Sequence, residues 1–317
     1  MHGRLSVVGP TVDGMWRSTG TRWREEGAHW TWWHPSHGVR ASPLPLGSAL
    51  RLSVDGSAAR RCAGVRRADR TIPCPDAADL PPGARRDQCE PCAALDRRSS
   101  VATDTVPDDG RPYRVYLAYF GPGLLKVGIT AAARGRVRLL EQAAVCFAFL
   151  GEGPLMAARR TESVLGSALD VPDRVRDPAK RAARHRLPDA AARAAEVAAL
   201  HARAASLRDR LPESLAPAPP HCVDHAEVFG LAADPPPPPP AAEVTALVPG
   251  CALAGTVRAV AGHDVYLDTP GGPLLFDTRL AAGWPLRRPG PGREPADARA
   301  APTAPLRSPA PPQEALF

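Results

Sequence analysis

The stretch YRVYLAYFGPGLLKVGIT, residues 113–130, decides how this chain is read. Tyr113 to Phe120 is rich in aromatic and branched residues and predicts a strand. Gly121-Pro122-Gly123 supplies a turn, and Leu124 to Ile129 predicts a second strand paired to the first. Thr130 is a suitable N-cap for a helix running to about Ala144. The break Gly151-Glu152-Gly153-Pro154 then opens a second helix from about Leu155 to Leu169. Residues 111–186 therefore read as a β-β-α-α core.

The second helix carries an informative carboxylate. Leu155, Ala158, Leu165 and Leu169 fall on one face, and Glu162 shares that face by spacing. A carboxylate aimed at a packed side is costly unless a cation or hydrogen-bond donors meet it. On the first helix, Arg136 borders the apolar stripe Ala133, Val137, Leu140 and Ala144. Arg134 and Arg138, four apart, share a more exposed side. Arg136 and Glu162 can then both look toward the strand that carries Tyr116. Two readings stay open: a structural Arg136–Glu162 ion pair, or a site that holds a phosphate or a Mg²⁺ ion.

Working outward, the next signal is a group of cysteines. Cys62, Cys74, Cys89 and Cys92 fall in a polar, proline-punctuated segment, residues 59–98, that lacks the apolar residues to order itself. The CEPC pair lets two thiolates bite one tetrahedral ion, so a structural zinc site with four cysteine ligands is expected. Such a site would contribute roughly 10–16 kcal/mol of apparent binding energy to folding. Cys146, Cys222 and Cys251 stand apart; Cys146 is expected to be buried and inert. The chain is expected to be cytoplasmic, where thiols stay reduced.

The flanks complete an α+β, multi-module plan. Residues 1–58 hold Trp16, Trp23, Trp30, Trp32 and Trp33 and read as an N-terminal β unit whose rings fill a small core. A linker rich in Asp and Ser follows the cysteines, over residues 99–110. Residues 187–212 make an Ala-rich helix, capped by Asp189, with Val197, Leu200, Leu207 and Leu211 on one stripe; a packing arm or dimer contact is expected. Residues 231–242 hold six consecutive prolines and read as a stiff spacer. AGTVRAV, HDVYLDT and PLLFDTRL, within 243–287, predict a three-stranded meander. Residues 288–317 are expected to be disordered.

The formal net charge is +7. Of the 40 basic residues only Lys126 and Lys180 are lysine, an Arg, Ala and Pro excess of the kind GC-rich genomes produce. Between Arg134 and Arg210 there are 15 basic and 9 acidic residues, so most of the excess sits beside the core. That distribution favours an anionic partner. No apolar run is long enough to span a bilayer, so no membrane partner is expected.

The succession VYL, KVG, Arg, Glu is similar to the GIY-YIG nuclease superfamily. Tyr116 matches the tyrosine of the first motif word, and Lys126-Val127-Gly128 occupies the second. Arg136 matches the catalytic arginine and Glu162 the metal-binding glutamate. Arg114 stands where glycine is usual, and Lys126 where tyrosine is usual. The chain as a whole, over roughly residues 1–285, also resembles an uncharacterised bacterial family, domain of unknown function 2797. The nuclease resemblance implies Mg²⁺- or Mn²⁺-dependent hydrolysis of DNA or RNA. Tyr116 would deprotonate or orient a water, Arg136 would stabilise the transition state, and Glu162 would hold the ion. Lys126, Arg134 and Arg138 would bind phosphate. The alternatives are a zinc-containing nucleic-acid-binding protein without turnover, or an interaction protein that docks others through its zinc segment and prolines.

Overall fold

The computed structural model describes residues 15–67, 70–98, 110–172, 174–232, 237–287 and 299–306. It is a mixed α+β protein with several sheets and few helices. Among the described residues, no helix is long and apolar enough to cross a membrane.

Strands β1 (Arg17–Arg24), β2 (Gly27–His34) and β3 (Gly38–Pro43) form one antiparallel sheet. β4 (Ala49–Val54), expected within an N-terminal unit, joins the C-terminal strands instead. Trp23 and Trp30 are buried in the same core as those strands. Trp30 stacks on Phe276 with ring centroids 6.2 Å apart, and Trp23 meets Phe229 edge-on at 5.2 Å. Trp23 and Trp30 thus fill a core shared with residues more than 200 positions away in sequence. The cysteine segment holds a short hairpin, β5 (Val65–Arg67) and β6 (Arg70–Ile72), and helix α1 (Glu90–Arg98). The linker over residues 99–110 lies outside the described residues except for its last position.

The central sheet begins with β7 (Tyr113–Tyr119) and β8 (Leu125–Ala131), paired as the sequence predicts. The expected helix from Thr130 to Ala144 does not form as one piece. β8 runs on to Ala131, a single 3₁₀ turn follows, and Gly135 takes a positive φ of 46° that an α-helix cannot accommodate. Only the short helix α2 (Val137–Glu141) remains. The apolar run after it is a third strand, β9 (Cys146–Gly153), antiparallel to β7. The core is therefore β-β-α-β-α. A short continuous apolar run reads equally as buried strand or buried helix, and pairing on both edges decides for strand. Helix α3 (Leu155–Leu169) lies where the sequence places it.

Helix α4 (Asp177–Ala183) and helix α5 (Ala190–Ala205) follow, with the Asp189 side chain accepting from the Ala192 amide at 2.8 Å. α5 is no free arm. Leu200 and Ala204 pack with Leu117 and Leu155, so the helix covers one face of the central sheet. β10 (Ala216–Pro217) and β11 (Cys222–Asp224) add to β9, and helix α6 (Ala226–Phe229) leads on. The pairing of β11 with β9 brings Cys146 and Cys222 into a disulfide. Reduced, separate thiols were expected there; a sequence separation of 76 hides the contact that strand pairing creates.

The polyproline stretch lies partly outside the described residues, and Pro237 is buried. β12 (Ala242–Val244) precedes the meander β13 (Cys251–Ala261), β14 (Asp264–Thr269) and β15 (Gly272–Asp277), which pair antiparallel as predicted. β16 (Leu286–Arg287) pairs with β4. Part of the tail is ordered: β17 (Arg299–Ala300) pairs with β13 and β18 (Thr303–Pro305) with β12. Backbone pairing at an edge tolerates proline and needs no side-chain pattern, so composition does not reveal it. The rest of the tail, 288–298 and 307–317, lies outside the described residues.

Candidate metal centre and cationic site

The four cysteines come together. Their sulfurs all lie within 4.8 Å of one another, and among the described residues they form the single group of three or more potential ligands that converges in this way. The Cys62 and Cys89 sulfurs are 3.6 Å apart and those of Cys74 and Cys89 3.8 Å. A tetrahedral zinc with bonds of about 2.3 Å would space its sulfurs by about 3.8 Å. The amides of Gly64 and Cys89 donate to the Cys62 sulfur, which favours a thiolate. Burial pushes the Cys62 thiol up to about 11 in the absence of a cation. A divalent ion would reverse that preference. The residues fit zinc, and four sulfurs would close its coordination shell and leave it a structural ion.

Arg60 fastens this segment to the C-terminal sheet. Its guanidinium is buried and donates to the carbonyls of Ala84 at 2.6 Å, Pro81 and Ala282 at 2.8 Å and Arg279 at 3.0 Å. Burial without a facing carboxylate holds it down at about 10. Nothing in the sequence distinguishes Arg60 from the other arginines, because its partners are all backbone carbonyls.

The second centre is built on Tyr116. Tyr116 and Gly128 are cross-strand partners, and the phenol lies over the glycine. A Cβ at position 128 would sit 2.3 Å from the Tyr116 hydroxyl oxygen, so only glycine admits the ring. Gln142, at the C-terminal end of α2, donates from Nε2 to that oxygen at 2.8 Å. Lys126 Nζ donates to Gln142 Oε1 at 3.1 Å, and Lys180 Nζ to the Gln142 carbonyl at 3.0 Å. Both lysines of the chain therefore meet at one glutamine. Lys180 also lies over the Phe120 ring, 4.3 Å from its centroid, and burial pulls its ammonium down to about 8. Burial raises the Tyr116 phenol above its ordinary value; the Glu162 charge adds to this, while Gln142, Arg138 and Arg134 oppose it.

The remaining predicted residues are spread around this centre. Arg134 ion-pairs with Glu141, and Arg138 reaches the same carboxylate at 3.7 Å. Arg136 turns to the β1–β2 turn, where it meets the Glu25 carboxylate at 2.6 Å and the Glu25 carbonyl at 2.7 Å. Leu155, Ala158, Leu165 and Leu169 of α3 are buried as predicted, against Tyr113, Val115 and Leu117. Tyr116 belongs to the opposite face of the sheet, with Phe120, Leu139 and Phe147. Thr161, fully buried, takes the middle of the α3 stripe and leaves Glu162 half-buried at its border. Arg114, where the resemblance expects glycine, bonds Glu152 at 2.7 Å. Gln142 and Lys180 were missed in the sequence. The scarcity of lysine in an arginine-rich chain was the signal available for Lys180.

The profile of the family described as "Protein of unknown function (DUF2797)" matches residues 80–286, well over half of the chain. The chain belongs to this family. The match takes in the CEPC pair, the central sheet and the meander, and begins after Cys62 and Cys74. For this DUF2797 member, no curated protein and no solved structure matches the chain.

Proposed function

We propose that this protein binds nucleic acid through a core similar to the GIY-YIG superfamily, gripping a backbone phosphate beside Gln142, with zinc holding the cysteine segment. One observation carries the reading: three half-buried or exposed cations, Lys126, Arg134 and Arg138, gather around Gln142 and Glu141. A phosphate would meet these cations, and lysine binds it as a point charge. Filter binding with single-stranded and duplex oligonucleotides over a range of salt is the test. Affinity should fall steeply with salt. A response flat in salt sinks the proposal.

A second reading, Mg²⁺- or Mn²⁺-dependent phosphodiester hydrolysis, is favoured by the Glu162 charge felt at the Tyr116 phenol. Magnesium is often held by one or two carboxylates plus substrate phosphates, and Glu162 would be that carboxylate. The ion would supply charge neutralisation at the phosphate. Arg138 and Arg134, rather than Arg136, are the guanidiniums whose charge bears on the phenol. Under this reading Glu162→Gln abolishes metal-dependent cleavage but keeps binding. Nucleic acid left intact by the wild-type chain with either metal removes it.

A further inference from the structure

We infer that residues 299–306 are a displaceable occupant of a peptide-docking groove. The partner the groove fits is an extended, proline-containing segment with a large aliphatic side chain where this chain has Ala300. The inference takes no residue from the cationic site.

The groove is a gap in a ring of strands. β13, β14, β15 and β12 pair in succession, which leaves one edge of β12 and the first residues of β13 to be covered. The tail covers both. β17 pairs with β13 at Cys251 and Ala252, and β18 pairs with β12 at Ala242, Glu243 and Val244. The family match ends at residue 286, so the walls lie inside it and the segment that fills the gap lies outside it.

The grip is made largely of main-chain bonds. The amides of Arg299, Ala301 and Leu306 donate to the carbonyls of Gly250 at 3.1 Å, Ala252 at 3.0 Å and Ala241 at 3.3 Å. The Thr245 amide donates to the Pro302 carbonyl at 2.9 Å. Proline has no amide hydrogen, and none of these bonds asks for one at Pro302 or Pro305. The walls therefore accept an extended backbone with the P-x-x-P spacing of Pro302-Thr303-Ala304-Pro305. Within the segment only Ala301 is buried, in the core that holds Val244 and Leu253. Short ladders and one buried methyl mark a segment of low local stability.

The room for a side chain is left unfilled. A cavity of about 330 Å³ lies against the tail, within the range of ligand pockets, roughly 300–1,000 Å³. Ala242, Ala252, Ala254 and Leu274 line it from the walls, and Ala300 from the tail. Ala300 is the register partner of Ala252, so the two methyls share a face. The wall residues are half-buried and Ala300 is exposed. Alanine there leaves apolar wall in water, whereas a leucine would cover it. The tail is a poor fit to the groove it occupies, which is what lets a better-fitting segment displace it.

The experiment uses the full chain and a fluorescent peptide of residues 299–306 with leucine in place of Ala300, followed by anisotropy. Ala301→Asp brings a charge into the core and ejects the tail. That chain should bind the peptide at least about tenfold more tightly than wild type, because a tethered occupant competes at about millimolar effective concentration. The peptide that keeps alanine at that place should bind it about tenfold more weakly, the effect of the buried leucine. Ala300→Leu alters an exposed residue. It should slow hydrogen exchange of the Ala301 amide about tenfold and weaken peptide binding below that of wild type. A folded Ala301→Asp chain, judged by its melt, that binds no better than wild type would overturn the proposal. So would equal binding of the two peptides, or a wild-type Ala301 amide that exchanges as slowly as the β13–β14 ladder. A wild-type dimer that Ala301→Asp separates would make a second copy's tail the occupant and overturn it as well. Should Ala301→Asp fail to fold, exchange decides: an Ala301 amide no slower in Ala300→Leu sinks the proposal.

Discussion

Two charged regions of this molecule invite comparison, because they use the same residue types to opposite ends. In the first, α4 is stapled to the meander. Arg181 and Arg184 bond Asp264 at 2.6 Å, Arg181 also reaches Asp277 at 3.1 Å and Glu243 at 3.3 Å, and Arg279 bridges Asp277 and Asp177. Arg85 from the cysteine segment meets Asp277 at 3.6 Å and Glu243 at 3.8 Å. Four arginines face four carboxylates, and the centre is buried. In the second, around Gln142, Lys126 and Arg138 are half-buried and Arg134 exposed, while Tyr116 and Lys180 lie buried beneath them. A balanced, sealed network satisfies itself and has nothing left for a ligand. Cations left open to solvent keep room for an anion, which is the basis of the proposed binding. Burial would raise the Asp264 carboxyl, yet the two arginines outweigh it and hold it far below the ordinary range.

That contrast can be broken or sharpened by experiment. Metal removal sets the largest effect. Purified protein should contain one zinc per chain, and a strong chelator should remove several kcal/mol of stability, part of the roughly 10–16 kcal/mol such sites contribute. Metal analysis with thiol titration and thermal melts is the measurement; four freely reactive thiols and no zinc would sink it. Next comes the sealed network. Asp264→Asn leaves buried guanidiniums uncompensated and should destabilise by about 3–5 kcal/mol. Denaturant melts should register it while oligonucleotide affinity at native temperature stays unchanged. If affinity drops with stability, the two regions are not separate.

For the Tyr116 region the effects fall on affinity. Lys126→Ala and Arg138→Ala should each lower the salt slope by about one and leave melting nearly unchanged. A slope that stays the same would place the phosphate elsewhere. The smallest effect is set by Lys180. Its folded value, about 8, lies below its ordinary one, so between these values the folded chain has shed a proton that the unfolded chain keeps. By linkage, stability rises with pH through that window. Oligonucleotide affinity should move the other way, weakening modestly from pH 7 to pH 9 as Lys180 loses its charge. Lys180→Arg should abolish that dependence.

How much was legible in advance varied with the range of the interaction. β7, β8, α3 and the meander were readable because local periodicity and turn residues fix them. The four cysteines were readable because ligand chemistry limits what CEPC beside two further thiols can do. β9 was not, since its apolar run carries no period and only its neighbours make it a strand. Arg136 was placed beside the phenol by helical spacing that Gly135 interrupts, and Glu25, more than a hundred residues earlier, takes it instead. Gln142 offered no signal, because an amide acquires a direction only from the donor that faces it.

The amino-acid sequence alone determined the secondary elements with short-range patterns, the sulfur ligand set and the excess of positive charge near the core. Tertiary structure decided which charges meet. It paired Arg181 and Arg184 with Asp264, spent Arg136 on Glu25, and gathered the two lysines at Gln142. The physical reason is that hydrophobic periodicity is a property of neighbours along the chain, whereas electrostatic balance is a property of neighbours in space.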